Sequence, residues 1–571
     1  MQNRMNTMKV KNVVAAVVLA LSLAAGAAPA KVALPDGSAA ECHRWKVGEL
    51  LFSDRGFHVG ATTPALDGAW FVCASIDGGL EIEIEQGGDI MVLTPVSGSC
   101  SQANELSRLG FVKDASVDVF IPFGSSVGNR VALWRRSFQK GERFKTLRWM
   151  VVAGVVPPAT DPARASSPRC DALRERLAGK YPAKVVTDIM VTKPDFAVFV
   201  PQEPERRHER VKEWAHDTYN DHFQVIRDDA RKVFHAFWTQ ATAEGHSDHH
   251  IAYSRSTDDG MTWSAPLMLA GSLNTNRAER AKHPTASWQQ PMLAKSGRLY
   301  CLWVRDDDRK IGGRFSDDGG LTWSVSEVCD CDLWKNDDGG KAPHGWINWQ
   351  RPLRLGPDGH FLVGSSRAQR VEFWEFVNID DDPAVKDIVV KRHSTGPKML
   401  AVPKDERGKS ICEEASIMKL PDGRLFAVMR ATGGSAVWSV SADCGVTWSP
   451  TEQLRTKDGG ALIEHSVSPC PVYDWKGPEA GSGVYFGVFH LEVTDHRGPL
   501  RLVPGRFNPA AHQPVEFTGK PRLIVPRSHW NSLYTSCTML GDECILWYND
   551  CAKFYLLGKV ITADWMDGQE K

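Results

Sequence analysis

The sequence predicts an all-β protein: a six-bladed β-propeller preceded by a smaller β-sandwich. Three observations lead there. An octet of the form S-x-D-x-G-x-T-W occurs three times, as STDDGMTW at Ser256–Trp263, SDDGGLTW at Ser316–Trp323 and SADCGVTW at Ser441–Trp448. Strand–turn–strand units recur from residue 185 to the end of the chain. Residues 31–157 also alternate strands with Gly and Pro turns, but contain no octet.

The octet is a hairpin turn. Its Asp accepts backbone N–H groups across the bend, its Gly takes a positive φ, and its Trp packs back beneath a strand. Ser256 to Ser316 is 60 residues and Ser316 to Ser441 is 125, about two such periods, so one unit between them has lost its turn signature. A period of this length with several short strands per unit describes propeller blades with long loops.

Taken in order, residues 1–30 read as a secretory leader. Arg4, Lys9 and Lys11 precede an apolar run from Val13 to Ala25, and Ala28-Pro29-Ala30 offers a small-residue cleavage site. The run is short for a membrane span, and an exported, periplasmic or extracellular protein is expected. Residues 31–157 are the β-sandwich; Leu80–Glu85 alternates with period two. Residues 158–184 are expected to be a linker with one short helix, and 185–571 the propeller. The net charge of −1 offers no basic face for nucleic acid or an anionic membrane. Thirteen cysteines in 571 residues do not make a disulfide scaffold, and the 20 tryptophans suit blade packing. No cofactor is implied. His246, Asp248, His249 and His250 lie on one loop, but neighbouring histidines point in different directions, so no metal is expected there.

The innermost strands of the six blades can be aligned by their strand–turn–strand shape. They open near Asp221, Trp288, Trp349, Glu414, Glu464 and Tyr534. Inner strands run side by side around one axis, so their first residues form a ring at one mouth. That ring is His222 (or Asp221), Gln289, Gln350, Glu414, His465 and Tyr534. Polar residues converge there where a blade core would hold Val or Ile, which marks a binding site.

These features resemble the sialidase family, whose Asp-boxes have the form of the octet. The segment from Glu414 to Arg430 looks like that family's glutamate-to-arginine strand pair. Tyr534, in LYTSCTML, is similar to its nucleophilic tyrosine. Asp248, on the loop before the first octet, stands where the family has its acid/base aspartate. Arg497 in TDHRGPL resembles an arginine of the carboxylate clamp, with Arg501 and Arg506 as rivals.

The resemblance implies a retaining exo-glycosidase acting on a terminal acidic sugar of a glycan. A sialoside carries its carboxylate on the anomeric carbon, which repels an anionic nucleophile, and a phenol attacks as a neutral group if a base takes its proton. Glu414 is that base. Arg430 and Arg497 bind the carboxylate through paired N–H donors, and Asp248 serves the leaving oxygen. One position departs from the family. Its first arginine is replaced here by His222, Phe223 or Gln224, so His222 is expected to complete the anion site as an imidazole. That departure keeps two other readings open: a uronate lyase or non-sialic glycosidase with His222 and Tyr534 as the acid/base pair, or a glycan-binding propeller without catalysis.

Overall fold

The structure is a computed structural model. It describes residues 28–566, apart from 36–39, 54, 61, 97, 123–127, 157–162, 164, 205–214, 274–283, 306–309, 330–349, 357–358, 492–496, 527–528, 530 and 533. The leader expected over residues 1–30 therefore lies almost wholly outside the described residues. Chain contacts divide the protein into two units, Met1–Asp161 and Pro162–Lys571. Among the described residues, no helix is long and apolar enough to cross a membrane.

The first unit is built on a six-stranded antiparallel sheet. Its order is Cys42–Arg44, Trp70–Val72, Val151–Val155, Gly88–Pro95, Gly128–Phe138 and Val112–Pro122. A three-stranded sheet of Lys31–Ala33, Glu81–Gln86 and Arg143–Lys145 covers one face. Its central strand reads EIEIEQ, and alternation sends Ile82 and Ile84 inward against Val92, Trp134 and Val152 while the glutamates face out. Each such isoleucine stabilises the fold by about 1.5–3 kcal/mol. The hairpin of Leu50–Phe52 and Arg55–His58 places Leu51 and Phe52 against Leu93, Leu133 and Ala153. The central sheet is thus buried on both faces. A helix at Ala103–Arg108 interrupts the strands, a short element without a pattern long enough to be legible beforehand.

The second unit opens with two helices, Pro168–Ala178 and Ala183–Ile189. The first is capped by Ser167, whose hydroxyl accepts the Cys170 N–H at 3.0 Å. Cys170, Leu173, Leu177, Val185 and Ile189 are buried against Leu546, Tyr548 and Leu557. The stretch expected to be a linker is therefore part of the second unit's core. Six antiparallel sheets follow. Four strands each make up blades one to four, at 219–271, 286–328, 353–393 and 412–453. Blade five carries an extra strand, Arg522–Val525, on Leu500–Phe507. Blade six combines Ser536–Leu540, Glu543–Asp550 and Tyr555–Ile561 with Phe196–Phe199 as its outermost strand, so the two ends of the unit share one sheet.

Serine side chains near the axis-facing strands tie blade to blade. Ser536 Oγ accepts the Val225 N–H at 3.1 Å, joining blades six and one. Ser366 Oγ accepts the Glu414 N–H at 2.7 Å between three and four, and Ser416 Oγ bonds Val472 N and O at 3.0 Å between four and five. Three inner strands share a bulge near their start, between Asp221 and Gln224, Ser287 and Gln290, and Glu413 and Ser416. The first bulged residue is left-handed in each: His222 at φ 52°, Trp288 at 56° and Glu414 at 56°. For residues with a Cβ this conformation is strained and persists where surrounding structure fixes it.

The octets form the turns before the outermost strands of blades one, two and four. In the first, Asp258 Oδ1 accepts the Thr262 N–H at 2.9 Å, Oδ2 accepts the Thr262 hydroxyl at 2.6 Å, and Gly260 N–H reaches Ser256 Oγ at 3.0 Å. Each octet tryptophan packs on the preceding blade. Trp263 meets Trp547 at 5.8 Å, Trp323 meets Tyr253 at 5.1 Å, and Trp448 stacks on Phe373 at 4.2 Å. Blade three, which lacks the octet, makes this crossing with short 3-10 turns at Ile379–Asp381 and Val385–Asp387. Trp448→Ala is expected to lower the unfolding free energy by about 3 kcal/mol, the low end for a large aromatic because the ring is half-buried. Urea unfolding measures this, and an unchanged midpoint would contradict the inter-blade role.

Candidate functional site

Glu414 is placed by the bulge that opens the inner strand of blade four, and Arg430 ends the neighbouring strand, with Glu413 and Arg430 paired across the ladder. Arg430 Nη1 lies 3.3 Å from both oxygens of Glu414. From blade six the Tyr534 hydroxyl donates to Glu414 Oε1 at 3.0 Å. Glu414 and Tyr534 are 2% and 6% exposed, so this contact lies away from bulk water. Burial first, then the charges of Glu414 and Asp221, push the Tyr534 phenol well above its ordinary pKa, while Arg430 and Arg497 act in the opposite sense. The resting phenol is neutral. Burial opposes the Arg430 charge, but Glu414, Tyr534 and Glu413 outweigh it and raise its pKa. Arg430 Nε has no hydrogen-bond partner among the described residues.

Blade one supplies the opposite wall. The His222 ring lies 4.2 Å from the Tyr534 ring and 6.0 Å from that of Trp288. Its Nδ1 is 3.2 Å from Asp221 Oδ2, within ion-pair reach but off the line of a hydrogen bond, and its Nε2 has no partner among the described residues. Asp221 Oδ2 also accepts the Tyr219 hydroxyl at 2.6 Å and Lys553 Nζ at 2.8 Å. Burial works against the Asp221 charge, yet neighbouring His222 and Lys553 hold its pKa far below the usual carboxylate range. Lys553 Nζ sits 4.9 Å from the centroid of the Tyr534 ring. Its loop follows a blade-six strand through three left-handed residues, Cys551, Ala552 and Lys553.

The structure thus brings Glu414, Arg430, Tyr534 and His222 together, with half-buried Arg497 near enough for its charge to act on Tyr534. Arg497 is also left-handed, at φ 45°, and its carbonyl accepts the Asn531 N–H at 2.9 Å.

Four expected residues stand elsewhere. Asp248 is 0% exposed: its Oδ2 accepts Thr242 N at 3.0 Å and Thr242 Oγ at 2.7 Å, and lies 2.8 Å from His216 Nδ1. That carboxylate fastens its loop. Gln289 is turned inward by the bulge, which puts Trp288 in the position equivalent to His222 and Glu414. Its amide donates to the carbonyls of His222 and Phe237 and accepts from Thr239, which props the strained His222 backbone. His465 accepts the His490 N–H at 3.1 Å and donates to the Ser468 carbonyl at 2.9 Å; burial drives its pKa down to about 4, so it is a neutral structural residue. Gln350 reaches the Tyr473 hydroxyl at 3.4 Å and lines a small axial cavity with Arg351 and Cys537. Asp221 appeared in sequence only as an alternative to His222, and Lys553, Tyr219 and Trp288 carried no signal for a site. Asp221 and Lys553 are 332 positions apart.

The Asp221–Lys553 pair is buried at both ends, at 1% each. Lys553→Met leaves a carboxylate without its cation and is expected to cost about 3–5 kcal/mol of stability. Asp221→Asn combined with Lys553→Met should recover most of that loss. Denaturant unfolding of Asp221→Asn, Lys553→Met and the double variant measures this, and a double variant as unstable as the two single losses combined would contradict the pairing.

Residues 232–466 match the model of the BNR repeat-like domain. No curated protein matches the chain in sequence. Among solved structures, a NanB structure with Optactamide superposes with a TM-score of 0.50 at 10% identity, covering 95% of each chain. The NanB sialidase of Streptococcus pneumoniae gives 0.47 at 12%, over 86% of this chain and 82% of that one. The leech intramolecular trans-sialidase gives 0.48 at 12%, over 95% and 98%. At these identities the likeness is one of fold.

Proposed function

We propose that this chain, as a member of the sialidase-like BNR-repeat propellers, is an exported retaining exo-glycosidase that removes a terminal acidic sugar from a glycan. The observation that carries the reading is the buried hydrogen bond from Tyr534 to Glu414, flanked by Arg430, with the charge of Arg497 also acting on Tyr534. A phenol held neutral by burial approaches an anomeric carbon bearing a carboxylate without charge repulsion. As the Tyr534 oxygen bonds to that carbon, its proton passes to Glu414 Oε1, 3.0 Å away. Arg430 and Arg497 receive the substrate carboxylate, and the unpartnered Arg430 Nε leaves a donor for it. His222 adds its Nε2 from the opposite wall. Water then attacks the anomeric carbon and breaks the glycosyl–tyrosine bond; its proton goes to the first-blade group that protonated the leaving oxygen, and Glu414 returns its own proton to Tyr534. The leaving oxygen takes its proton from the first-blade side. Asp248 serves there only if it exchanges its bonds to Thr242 and His216. Export rests on the basic and apolar pattern from Arg4 to Ala30.

A second reading is favoured by one observation, the Asp221–His222 pair beside Tyr534. On a uronate, that pair and the phenol have the types needed to remove a proton next to the carboxylate and protonate the leaving oxygen. The product would be an unsaturated uronate. A release assay on sialylated glycans and uronate-rich polysaccharides separates the two. Free sialic acid is the expected product; unsaturated uronate would favour elimination, and binding without release would make the propeller a lectin. In the glycosidase reading, Glu414→Gln and Tyr534→Phe each lower kcat by about 10²–10⁴, and the double variant loses little more than either alone. Additive losses in kcat would contradict a single Tyr–Glu unit.

A further inference from the structure

The first unit carries a cluster that the propeller site does not use. Cys42–Arg44 and Trp70–Val72 are neighbouring antiparallel strands, and the Cys73 N–H donates to the Glu41 carbonyl at 2.8 Å. Glu41 and Cys73 therefore stand opposite each other, and His43, two residues on, shares their face. Cys42 points to the other side. One carboxylate oxygen, one imidazole nitrogen and one sulfur from Glu41, His43 and Cys73 all lie within 4.8 Å of one another.

The orientation of His43 is the second observation. Its Nδ1 lies 2.7 Å from Glu49 Oε1, and its Nε2 lies 3.1 Å from Glu41 Oε1. A carboxylate on one ring nitrogen fixes the tautomer and aims the other nitrogen, the arrangement that outer carboxylates impose on metal-bound histidines. Here Glu49 occupies that outer place and Nε2 is turned toward Glu41 and Cys73. The Phe71 ring, 5.8 Å from that of His43, makes one wall apolar. Cys73 is 4% exposed, while the side chains of His43 and Glu41 keep 19% and 14%, so an ion has a path in from solvent.

We propose that Glu41, His43 and Cys73 bind a zinc-like divalent cation in the first unit, with Glu49 as the outer carboxylate that positions His43. A thiolate with an imidazole and one carboxylate selects a borderline-soft ion over magnesium or calcium, which prefer all-oxygen sets. Ligand bonds of about 2.0–2.3 Å place three tetrahedral ligand atoms roughly 3.3–3.8 Å apart, so the His43–Glu41 pair at 3.1 Å opens slightly and the Cys73 sulfur closes in from within 4.8 Å. The thiol proton and the His43 Nε2 proton shared with Glu41 leave to solvent on binding, and the fourth position is open to water. The cluster could instead be a Glu–His–Glu hydrogen-bond chain beside an incidental buried thiol. In that case the thiol plays no part, and sulfur is what the test reads.

The full chain is stripped with a chelator and titrated with cobalt(II), then with zinc against a chromophoric chelator. One equivalent is expected, with a near-ultraviolet thiolate-to-cobalt band and a zinc Kd at or below micromolar. Cys73→Ser should abolish the band, His43→Ala should weaken binding at least 10-fold, and Glu49→Gln should weaken it about 10–100-fold with the band retained. Glu49 is the most exposed of the four, so its variant remains informative if a core variant misfolds. Absence of saturable binding by the wild-type chain would overturn the proposal. So would equal affinity and an unchanged band in folded Cys73→Ser and His43→Ala, since the ion would then sit elsewhere.

Discussion

The carboxylate of Glu414 is the point on which the candidate site depends. It lies between a phenol and a guanidinium drawn from different strands, at 2% exposure, on a backbone held in a left-handed conformation. A buried carboxylate is costly unless paired, and Arg430 and Tyr534 meet that cost from one strand away and one blade-pair away. The same contacts leave the phenol neutral, positioned and next to a base. In the proposed mechanism one arrangement serves stability and chemistry together, so perturbing either partner disturbs both.

What holds Glu414 there is distributed around the ring. Ser366 of blade three takes its backbone N–H, and the bulge that strains it recurs at His222 and Trp288. Gln289 fixes His222 in turn through that residue's carbonyl. The mouth is thus a set of strained strand starts, each braced by the blade before or after it. The outer rim works differently. There the octet turns are closed by their own Asp and Ser, with Asp259 and Asp317 also meeting Arg227 and Arg298, and their tryptophans lock each blade to its predecessor. Distance separates the two tasks, so the turns fix the frame while the strand starts carry polar groups.

The parts legible in sequence were those with local patterns. The octets fix five positions in eight residues because one turn needs a carboxylate, a glycine and an aromatic at set offsets. Glu414 and Tyr534 could be found because strand–turn–strand shape locates where an inner strand begins. Gln289 is one residue past the ring position, which Trp288 takes, because aligning strand starts by shape does not show which residue a bulge turns toward the mouth. His465 and Asp248 look polar and available in sequence, yet backbone and hydroxyl partners absorb them inside the fold. Lys553 was invisible for a different reason. Its partner Asp221 is brought to it only when the last blade closes on the first, and nothing near either residue announces the pair.

The central claim is that Tyr534 forms a covalent bond to the sugar while Glu414 takes its proton. It is tested most directly by trapping that bond. A sialosyl fluoride bearing a second fluorine beside the anomeric centre forms the intermediate and slows its hydrolysis. Digestion and mass spectrometry then locate the added mass. The account predicts one sugar per chain on the phenol of Tyr534 in the wild type, and none in Tyr534→Phe. A sugar attached to any other residue, or turnover that persists with Tyr534 unmodified, would contradict it.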